Sequence, residues 1–339
     1  MAYITLNKNN FFNNLDIIAN RTKSVDKIAL VLKDNAYGHG ILETASMAQE
    51  YGIKKAVVCS CKEAQSVERF FDYILVLGEI PTFKSDKVRY TINDINSIEK
   101  FPQGTKVELK IDSGMHRNGI AIDEIESAFL KIKEAKLFLE ALFTHHRSAD
   151  ELTSEWFWQK ENFKIAKQKA ALLAKEFGFD ALRFHSSNSA ALFRESDFDE
   201  DMARVGIAAY GCMELPKALH VEGFKPILSL FAKKISSRKL NRGDRVGYGG
   251  DGEIVKECVV GNYDVGYGDG FLRVCAENGY KTPQGIELLG RISMDNSSFL
   301  SNEKTILVFD DARVASKYAK TISYELLASL KPSIKREVL

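Results

Sequence analysis

The fold is decided by residues 28–40, which read Ile-Ala-Leu-Val-Leu-Lys-Asp-Asn-Ala-Tyr-Gly-His-Gly. Five consecutive apolar residues, 28–32, lead to Lys33, and the turn-forming Gly38 and Gly40 follow. An apolar run of this length bounded by turn residues predicts a buried parallel strand. Lys33 would then lie at the carboxyl end of the strand, where α/β barrels place their chemistry. A lysine there is suited to imine formation, and the plainer alternative is a lysine that only caps the strand.

The same pattern recurs through the first two-thirds of the chain. Eight short apolar runs, most of them separated by helical patterns, lie at 28–32, 56–59, 73–77, 88–92, 106–112, 137–144, 182–185 and 203–208. Helical spacing is found at 13–23, 42–48, 64–70, 122–133 and 154–177. Eight such units predict a (β/α)8 TIM barrel rather than an open sheet. No Gly-x-Gly-x-x-Gly follows the first strand, so a dinucleotide-binding fold is not indicated.

The pattern changes past Pro226. Strand-like segments at 227–235, 257–262, 285–293 and 304–309 lie between glycine-rich turns, and helical spacing returns only at 324–330. A barrel takes roughly 250 residues, so a chain of 339 residues has room for a second unit. The sequence therefore predicts an α/β barrel over residues 1–225 and a β-strand-rich C-terminal domain over residues 226–339. Residues 3–6 read as a short strand ahead of the first helix.

Composition excludes several classes of protein. Lysine and arginine number 47 against 46 acidic residues, so no charged surface for nucleic acid or membrane is indicated. The five cysteines lack metal-ligand spacing, and reduced thiols are expected. The amino terminus does not resemble a signal peptide, and no apolar stretch reaches the roughly 18 residues of a membrane span. We expect a soluble cytoplasmic protein without a metal, a nucleic-acid partner or a membrane partner.

Polar residues follow the predicted strands at the rim where the carboxyl ends of parallel strands meet. The fifth run gives Lys110 and Arg117, the sixth His145, the seventh His185 and Ser189, and the eighth contains Arg204. A rim with several cations and histidines predicts a binding site for a polar ligand.

These segments resemble the alanine racemase family, and the resemblance runs from residue 3 to about residue 335. Val-Leu-Lys-Asp-Asn-Ala-Tyr-Gly-His-Gly, residues 31–40, is similar to the family's lysine signature for pyridoxal 5'-phosphate. The resemblance implies an enzyme that interconverts L- and D-alanine and supplies D-alanine for peptidoglycan. It also implies a head-to-tail homodimer with shared active sites.

The resemblance assigns roles around the cofactor. Lys33 would form the imine with pyridoxal phosphate, and Arg204 would face the pyridine nitrogen. The phosphate would be held by Tyr37, Ser189, the backbone N–H groups of Gly206 and Ile207, and a buttressing Tyr324. A permanently charged arginine at the pyridine nitrogen discourages ring protonation, which fits racemisation better than elimination or transamination.

The resemblance also assigns the groups that handle the substrate. Tyr267 of the partner subunit would be the second base, assisted by His145 hydrogen-bonded to Arg204. Arg117 would bind the substrate carboxylate, and Met294 and Asp295 of the partner subunit would contact the substrate. Many relatives carry a carbamate at the lysine that corresponds to Lys110. The catalytic pair would thus be Lys33 and Tyr267, one on each face of the reacting carbon.

Three departures from the family pattern leave the pocket's polarity open. Asp34 replaces a common alanine, and His146 and Arg147 replace an apolar and a small residue. Three alternatives to an alanine racemase are open. The first is a racemase of broader range. The second is a fold-related decarboxylase, which would place a carboxylate at the pyridine nitrogen and use a cysteine in the second domain. The third is a non-catalytic pyridoxal-phosphate carrier, which would leave the β domain and Tyr267 unexplained.

Overall fold

Eight parallel strands form the first part of the protein. The structure is a computed structural model that describes residues 1–83, 85–179 and 181–339. After β1 (Tyr3–Leu6), the eight strands are β2 (Ile28–Val31), β3 (Lys55–Val58), β4 (Tyr73–Val76), β5 (Val88–Ile92), β6 (Lys106–Lys110), β7 (Phe138–Phe143), β8 (Arg183–His185) and β9 (Ala203–Val205). They lie in the order β8-β7-β6-β5-β4-β3-β2-β9.

Strands β8 and β9 meet at the seam of this sheet. The Asp201 N–H donates to the Phe184 carbonyl at 3.2 Å, and the Arg204 N–H donates to the Ser187 carbonyl at 2.9 Å. These bonds tie the two end strands together, so the sheet is a nearly closed barrel. The predicted barrel is confirmed, including each of its eight strands.

Helices cover the outside of the barrel and begin at capping residues that the periodicity did not show. They are α1 (Lys8–Thr22), α2 (Ile41–Tyr51), α3 (Cys61–Val67), α4 (Ile125–Glu134), α5 (Glu155–Phe177) and α6 (Ser189–Arg194). Helix α1 begins five residues before the predicted 13–23 because the Asn7 side chain caps it by accepting from the Asn10 N–H at 2.8 Å. Helix α3 begins early because Ser60 and Glu63 form a capping box.

The second part of the chain is mostly β, as predicted. Its strands are β10 (Leu228–Leu240), β11 (Arg245–Val246), β12 (Gly252–Glu253), β13 (Cys258–Tyr263), β14 (Leu288–Leu289), β15 (Ser297–Phe299), β16 (Thr305–Phe309) and β17 (Lys335–Val338). Its helices are α7 (Val274–Glu277), α8 (Ala312–Tyr318) and α9 (Ser323–Ala328). The prediction of a continuous strand over 285–293 is wrong. Gly290 turns the chain there with φ +66°, and a Cβ on it would lie 2.4 Å from the Val246 carbonyl oxygen.

Strand β1 belongs to the sheet of this second part. It pairs antiparallel with β10 and parallel with β17, so the first strand of the chain lies between two strands from its second half. The predicted boundary at residues 225/226 stays a prediction, with β1 as an N-terminal segment that reaches across it. No helix in the described part of the chain is both long and apolar enough to cross a membrane.

Lys33 begins a left-handed turn, Lys33–Tyr37, directly after β2. The φ angles of residues 34–37 lie between 52° and 54°, a region that costs an L-residue roughly 1–2 kcal/mol. Two side-chain hydrogen bonds hold the turn. The Glu63 carboxylate accepts from the Asp34 N–H at 2.7 Å, and the Asn35 side chain accepts from the Ile41 N–H at 2.9 Å.

The second domain also fixes this turn. Arg336 on β17 donates to the Gly38 carbonyl from Nε at 3.1 Å and from Nη2 at 2.8 Å. Gly38 has φ +74°, and a Cβ on it would lie 1.9 Å from the Leu327 carbonyl oxygen in α9. The backbone that presents Lys33 is therefore clamped between the barrel and the second domain.

We predict that Gly38→Ala destabilises the protein by about 3–4 kcal/mol, because the methyl group overlaps backbone and the residue keeps a left-handed φ. Gly52→Ala is the matched control, since Gly52 has φ +103° but open space around it. The control should cost only about 1 kcal/mol. Urea unfolding midpoints measure both, and equal losses for the two variants would show that the contact with Leu327 is not tight.

Candidate active site

The strand ends bring Lys33 and Arg204 to one rim. Arg204 lies on β9, the neighbour of β2, where Ala29 and Arg204 are in register. The Lys33 side chain is half-buried, and its Nζ lies 3.7 Å from the Asp34 carboxylate. The desolvation expected from a buried strand end is therefore only partial at this amine.

A cradle of hydroxyl and backbone N–H groups, formed by Tyr37, Ser189, Gly206 and Ile207, follows β8 and β9. The Ser189 hydroxyl accepts from the backbone N–H groups of Gly206 at 3.1 Å and Ala208 at 3.3 Å. A Cβ on Gly206 would lie 2.9 Å from the Tyr37 hydroxyl, so only glycine lets this backbone approach the phenol. Hydroxyls and backbone N–H groups are the donors that an anion needs. The donor set fits the phosphate of pyridoxal phosphate.

Three tyrosine rings form the wall beside the cradle. The Tyr37 ring centroid lies 5.3 Å from that of Tyr210 and 5.8 Å from that of Tyr324. Burial raises the pKa of the Tyr37 phenol, and the Asp34 carboxylate adds to this. Burial likewise raises the pKa of Tyr324. Both phenols are therefore neutral donors at pH 7.

The guanidinium of Arg204 is buried and almost fully engaged by the protein. Nη1 donates to the His185 imidazole Nδ1 and, at 3.3 Å, to the His185 carbonyl. Nη2 donates to the carbonyls of Thr144 at 2.6 Å and Ser186 at 3.0 Å. Among the described residues, the Nε–H is the one donor of this group without a protein acceptor.

The histidine bonded to Arg204 is His185, and the prediction of a hydrogen bond from His145 is wrong. Both histidines end neighbouring strands, but His185 lies within β8, directly across the seam from Arg204. His145 follows β7 and is half-buried. Burial lowers the pKa of His145 well below its usual range, and the charges of Arg204, Arg117 and Lys110 add to this effect. His145 is therefore a neutral imidazole at pH 7.

Lys110 ends β6 close to two other cations. Burial lowers the pKa of its ammonium to about 8, and Arg117 and Arg204 add to this, while Asp112 opposes it. Asp112 organises the loop that carries Arg117 by accepting from the N–H groups of Gly114 at 2.9 Å and His116 at 3.0 Å. Arg117 itself is exposed. The rim thus combines a neutral imidazole, a weakly basic amine and two arginines.

Two departures from the family pattern point away from the site. His146 is buried edge-on against Trp156, with ring centroids 6.4 Å apart, and burial lowers its pKa to about 4. Arg147 donates to the Gly114 carbonyl at 2.7 Å and pairs with Glu155. His146 is thus part of the core, and Arg147 anchors the Arg117 loop to α5. The third departure, Asp34, lies beside Lys33, and 61% of its side chain is exposed.

Tyr267, Met294 and Asp295 lie together on the second domain. The Tyr267 N–H donates to the Ser293 carbonyl at 3.0 Å, and the Gly268 N–H donates to the Met294 carbonyl at 2.8 Å. Tyr267 is 38% exposed and Met294 is 56% exposed. The structure clusters these three residues on an open surface, and their backbone hydrogen bonds stay within the second domain.

Sequence reasoning missed three residues that support the site. His39 is fully buried, stacks on Tyr210 at 4.4 Å and contacts the Ala36 and Tyr37 carbonyls through Nδ1. Arg336 fixes the lysine turn from the second domain. Glu108 lies behind His185 inside the barrel, at 2.9 Å from its Nε2. The sequence did offer one signal that could have found Glu108, because a charged residue stands there between two apolar residues of a predicted strand. Among the described residues, no cluster of side chains suits a metal ion.

Fold and rim together describe a two-domain barrel enzyme with a lysine and a set of anion-binding donors at one end of the barrel. A model of the alanine racemase N-terminal domain matches residues 6–214, and a model of the alanine racemase C-terminal domain matches residues 227–338. The chain belongs to the alanine racemase family, and the resemblance drawn from its motifs is confirmed.

Individual relatives agree over the whole length. The alanine racemase of a Nitratiruptor species is 44% identical over 336 residues, which cover 99% of each chain. That of Campylobacter curvus is 42% identical over 338 residues, also 99% of each chain. The solved alanine racemase from Bacillus anthracis with bound L-Ala-P has a TM-score of 0.87 at 26% identity, covering 100% of this chain and 95% of that one.

Proposed function

We propose that this protein is an alanine racemase that uses pyridoxal 5'-phosphate and supplies D-alanine for peptidoglycan in the cytoplasm. One observation carries the proposal: Lys33 and the Nε–H of Arg204 lie on the same rim of the barrel, next to the cradle of Tyr37, Ser189, Gly206 and Ile207. A lysine, a ring-nitrogen donor and an anion cradle are the three groups needed to hold this cofactor.

The cofactor, when bound, draws electrons from the α-carbon of an amino acid and so acidifies its α-proton. Arg204 would donate its Nε–H to the ring nitrogen without giving up a proton, because a guanidinium stays charged at neutral pH. Its pKa, lowered by burial to about 10 and supported by Glu200 and Glu108, still lies well above 7. A donor that keeps its proton limits charge build-up on the ring, which favours return of the proton to the same carbon.

Two bases are needed to invert the α-carbon. Lys33 would serve one face, and Tyr267 of the partner subunit the other. A phenol needs help to move a proton at neutral pH, and the neutral imidazole of His145 is the proposed helper. Arg117 would bind the substrate carboxylate, with Met294 and Asp295 of the partner subunit beside it. The exposure of Tyr267 and Met294 supports a head-to-tail homodimer.

The charge around the rim bears on the substrate range. Arg204 and Arg117 both act on His145, so a substrate carboxylate is favoured there and a basic side chain is disfavoured. Asp34 is exposed and therefore screened by water. Small uncharged amino acids such as alanine and serine fit this field better than lysine. The arginine at the ring-nitrogen position also argues against a decarboxylase.

We predict that the cofactor-loaded protein incubated with L-alanine in heavy water incorporates α-deuterium and loses optical rotation together. Lys33→Ala should lower both rates by at least about 1,000-fold, because one base and the anchor of the cofactor are lost. Tyr267→Phe should keep the cofactor and slow the two directions unequally. Lys54→Ala, at an exposed lysine, is the control and should behave like the wild type.

L-serine and L-lysine run in parallel define the range, with serine expected to exchange and lysine not. Deuterium incorporation without loss of rotation would show that only one face is served. Wild-type activity in Lys33→Ala would overturn the proposed function.

The proposal that each active site combines residues from two subunits leads to a second prediction. Lys33→Ala and Tyr267→Phe subunits should each be nearly inactive, but a mixed dimer holds one site with both changes and one with neither. Random reassociation should therefore restore about a quarter of wild-type activity. If each chain supplied its own Tyr267, mixing would restore nothing. Dilution of the mixed sample below the dimer dissociation constant gives the matching control, since activity should fall again.

We also propose that Lys110 reacts with carbon dioxide to form a carbamate, which would place an anion beside Arg117. A pKa of about 8 leaves about a fifth of the amine neutral at pH 7.4, against about one part in a thousand for an ordinary lysine. In carbon-dioxide-free buffer, the labelled Lys110 Cε signal should titrate near pH 8. Labelled carbon dioxide should then give a carbamate carbon signal that is absent in Lys110→Met. A titration midpoint near 10.5 would contradict the lowered pKa of Lys110, and the lack of a carbamate carbon signal would contradict the carbamate.

A further inference from the structure

A buried carboxylate lies behind the histidine that holds Arg204. Glu108 is the middle residue of β6, between Val107 and Leu109, and its side chain is fully buried inside the barrel. One oxygen lies 2.9 Å from His185 Nε2. The other accepts from Arg183 Nη2 at 3.0 Å and from the Tyr73 hydroxyl. None of these contacts reaches the rim itself, so the predicted site residues do not account for them.

The donor and acceptor roles in this chain of contacts follow from Arg204. A guanidinium has only donors, so His185 Nδ1 must accept from Arg204 Nη1 with a lone pair. The proton of the neutral imidazole then lies on Nε2, which faces Glu108. Glu108 must therefore accept, and it does so as a carboxylate. The chain of contacts therefore runs from the Arg204 cation, through a neutral His185 imidazole with its proton on Nε2, to the Glu108 anion.

The surroundings are consistent with these charges. Burial opposes ionisation of Glu108, but His185, Arg183 and Tyr73 together hold its pKa below the usual range. Burial lowers the pKa of His185, and Arg204 adds to this, while Glu108 opposes it. The Phe143 ring lies parallel to the imidazole at 4.9 Å and fixes its plane. The ring can therefore exchange tautomers but cannot easily turn away.

Arg183 does not neutralise Glu108 alone. Its Nη2 also pairs with Glu140 at 3.0 Å, and Glu140 pairs in turn with Arg89 Nε at 2.9 Å. Glu140 is thus a second carboxylate of the same network, but one that has no contact with His185. It provides a matched control for the charge of Glu108.

We propose that Glu108 is a positioning residue that holds His185 in its Nε2–H form, so that Arg204 directs its Nε–H to the ring nitrogen of the cofactor. With the proton on Nδ1 instead, the imidazole N–H would face the Arg204 N–H, and two donors would repel each other. Arg204 would then lose one of its four bonds and its fixed direction. This inference rests on the proposed function for its catalytic consequence, but not for the tautomer.

The first test uses the cofactor-free protein with 15N-labelled histidine. The chain has six histidines, and His185→Asn identifies the relevant imidazole in the spectrum. We expect wild-type His185 to show a protonated Nε2 and an unprotonated Nδ1 from pH 6 to pH 9. Glu108→Gln should populate the Nδ1–H form, and Glu140→Gln should leave His185 unchanged. An imidazolium or an Nδ1–H form in the wild type would overturn the proposal without requiring any variant to fold.

The second test measures turnover and cofactor affinity. Glu108→Gln should lower kcat for alanine by about 10–100-fold, by analogy with removal of the hydrogen-bond partner of a metal-bound histidine. KM should change by less than about 3-fold, because Glu108 does not touch the substrate. The affinity of the cofactor-free protein for pyridoxal phosphate should fall, Glu108→Asp should recover part of kcat, and Glu140→Gln should stay near wild type.

The two proposals fail differently. Wild-type turnover in Glu108→Gln, while Lys33→Ala is inactive, would reject the role of Glu108 and leave the racemase intact. A wild-type protein with the expected tautomer but no Lys33-dependent exchange of alanine would reject the racemase instead. Equal losses of kcat in Glu108→Gln and Glu140→Gln would show a general structural effect and also reject the positioning role.

Discussion

Much of the structure depends on the hydrogen bonding of one buried cation, the Arg204 guanidinium. A buried charge is tolerated only when it is paired and hydrogen-bonded. Its acceptors are carbonyl groups at the ends of β7 and β8 and the His185 ring, whereas Arg204 itself belongs to β9. The same side chain thus satisfies its own charge and bridges the seam of the barrel. Closure of the barrel and the positioning of Arg204 therefore depend on the same hydrogen bonds.

The second domain helps to fix the position of Lys33 through contacts with the backbone of the turn that Lys33 begins. Arg336 donates to the Gly38 carbonyl, and the chain of α9 leaves no room for a side chain at Gly38. Left-handed backbone at residues 34–37 is unfavourable for L-residues and persists only where other contacts determine it. Because some of those contacts come from residues about 300 positions away, the barrel alone does not account for the placement of Lys33. Orientation of the lysine is a property of the two-domain molecule.

The sequence predicts what depends on local pattern and misses what depends on distant contacts. Apolar runs and turn residues were enough for the eight strands, whereas the roles that the family signature assigns to Lys33 and Arg204 stay predictions. The left-handed turn carried no local signal at Asp34 or Ala36, since glycine normally marks such backbone. Histidines ended two adjacent strands, and spacing alone did not decide which one meets Arg204. The contact of β8 with β9 across the seam places His185, rather than His145, next to Arg204.

In the proposed function, Arg204 at the ring-nitrogen position would affect more than the cofactor ring. Burial lowers the pKa of His145 and of Lys110, and the charge of Arg204 adds to both effects, so His145 is neutral at pH 7 and Lys110 is a weaker base than an ordinary lysine. A carboxylate in place of Arg204 would act in the opposite direction, because a nearby anion favours the protonated forms of histidine and lysine. It would also attract a proton to the ring. In the proposed function, Arg204 would therefore favour both a ring that is not strongly protonated and a neutral His145 that can accept a proton. Since Glu108 balances this cation through a neutral histidine rather than by direct contact, the field of Arg204 at the rim is retained.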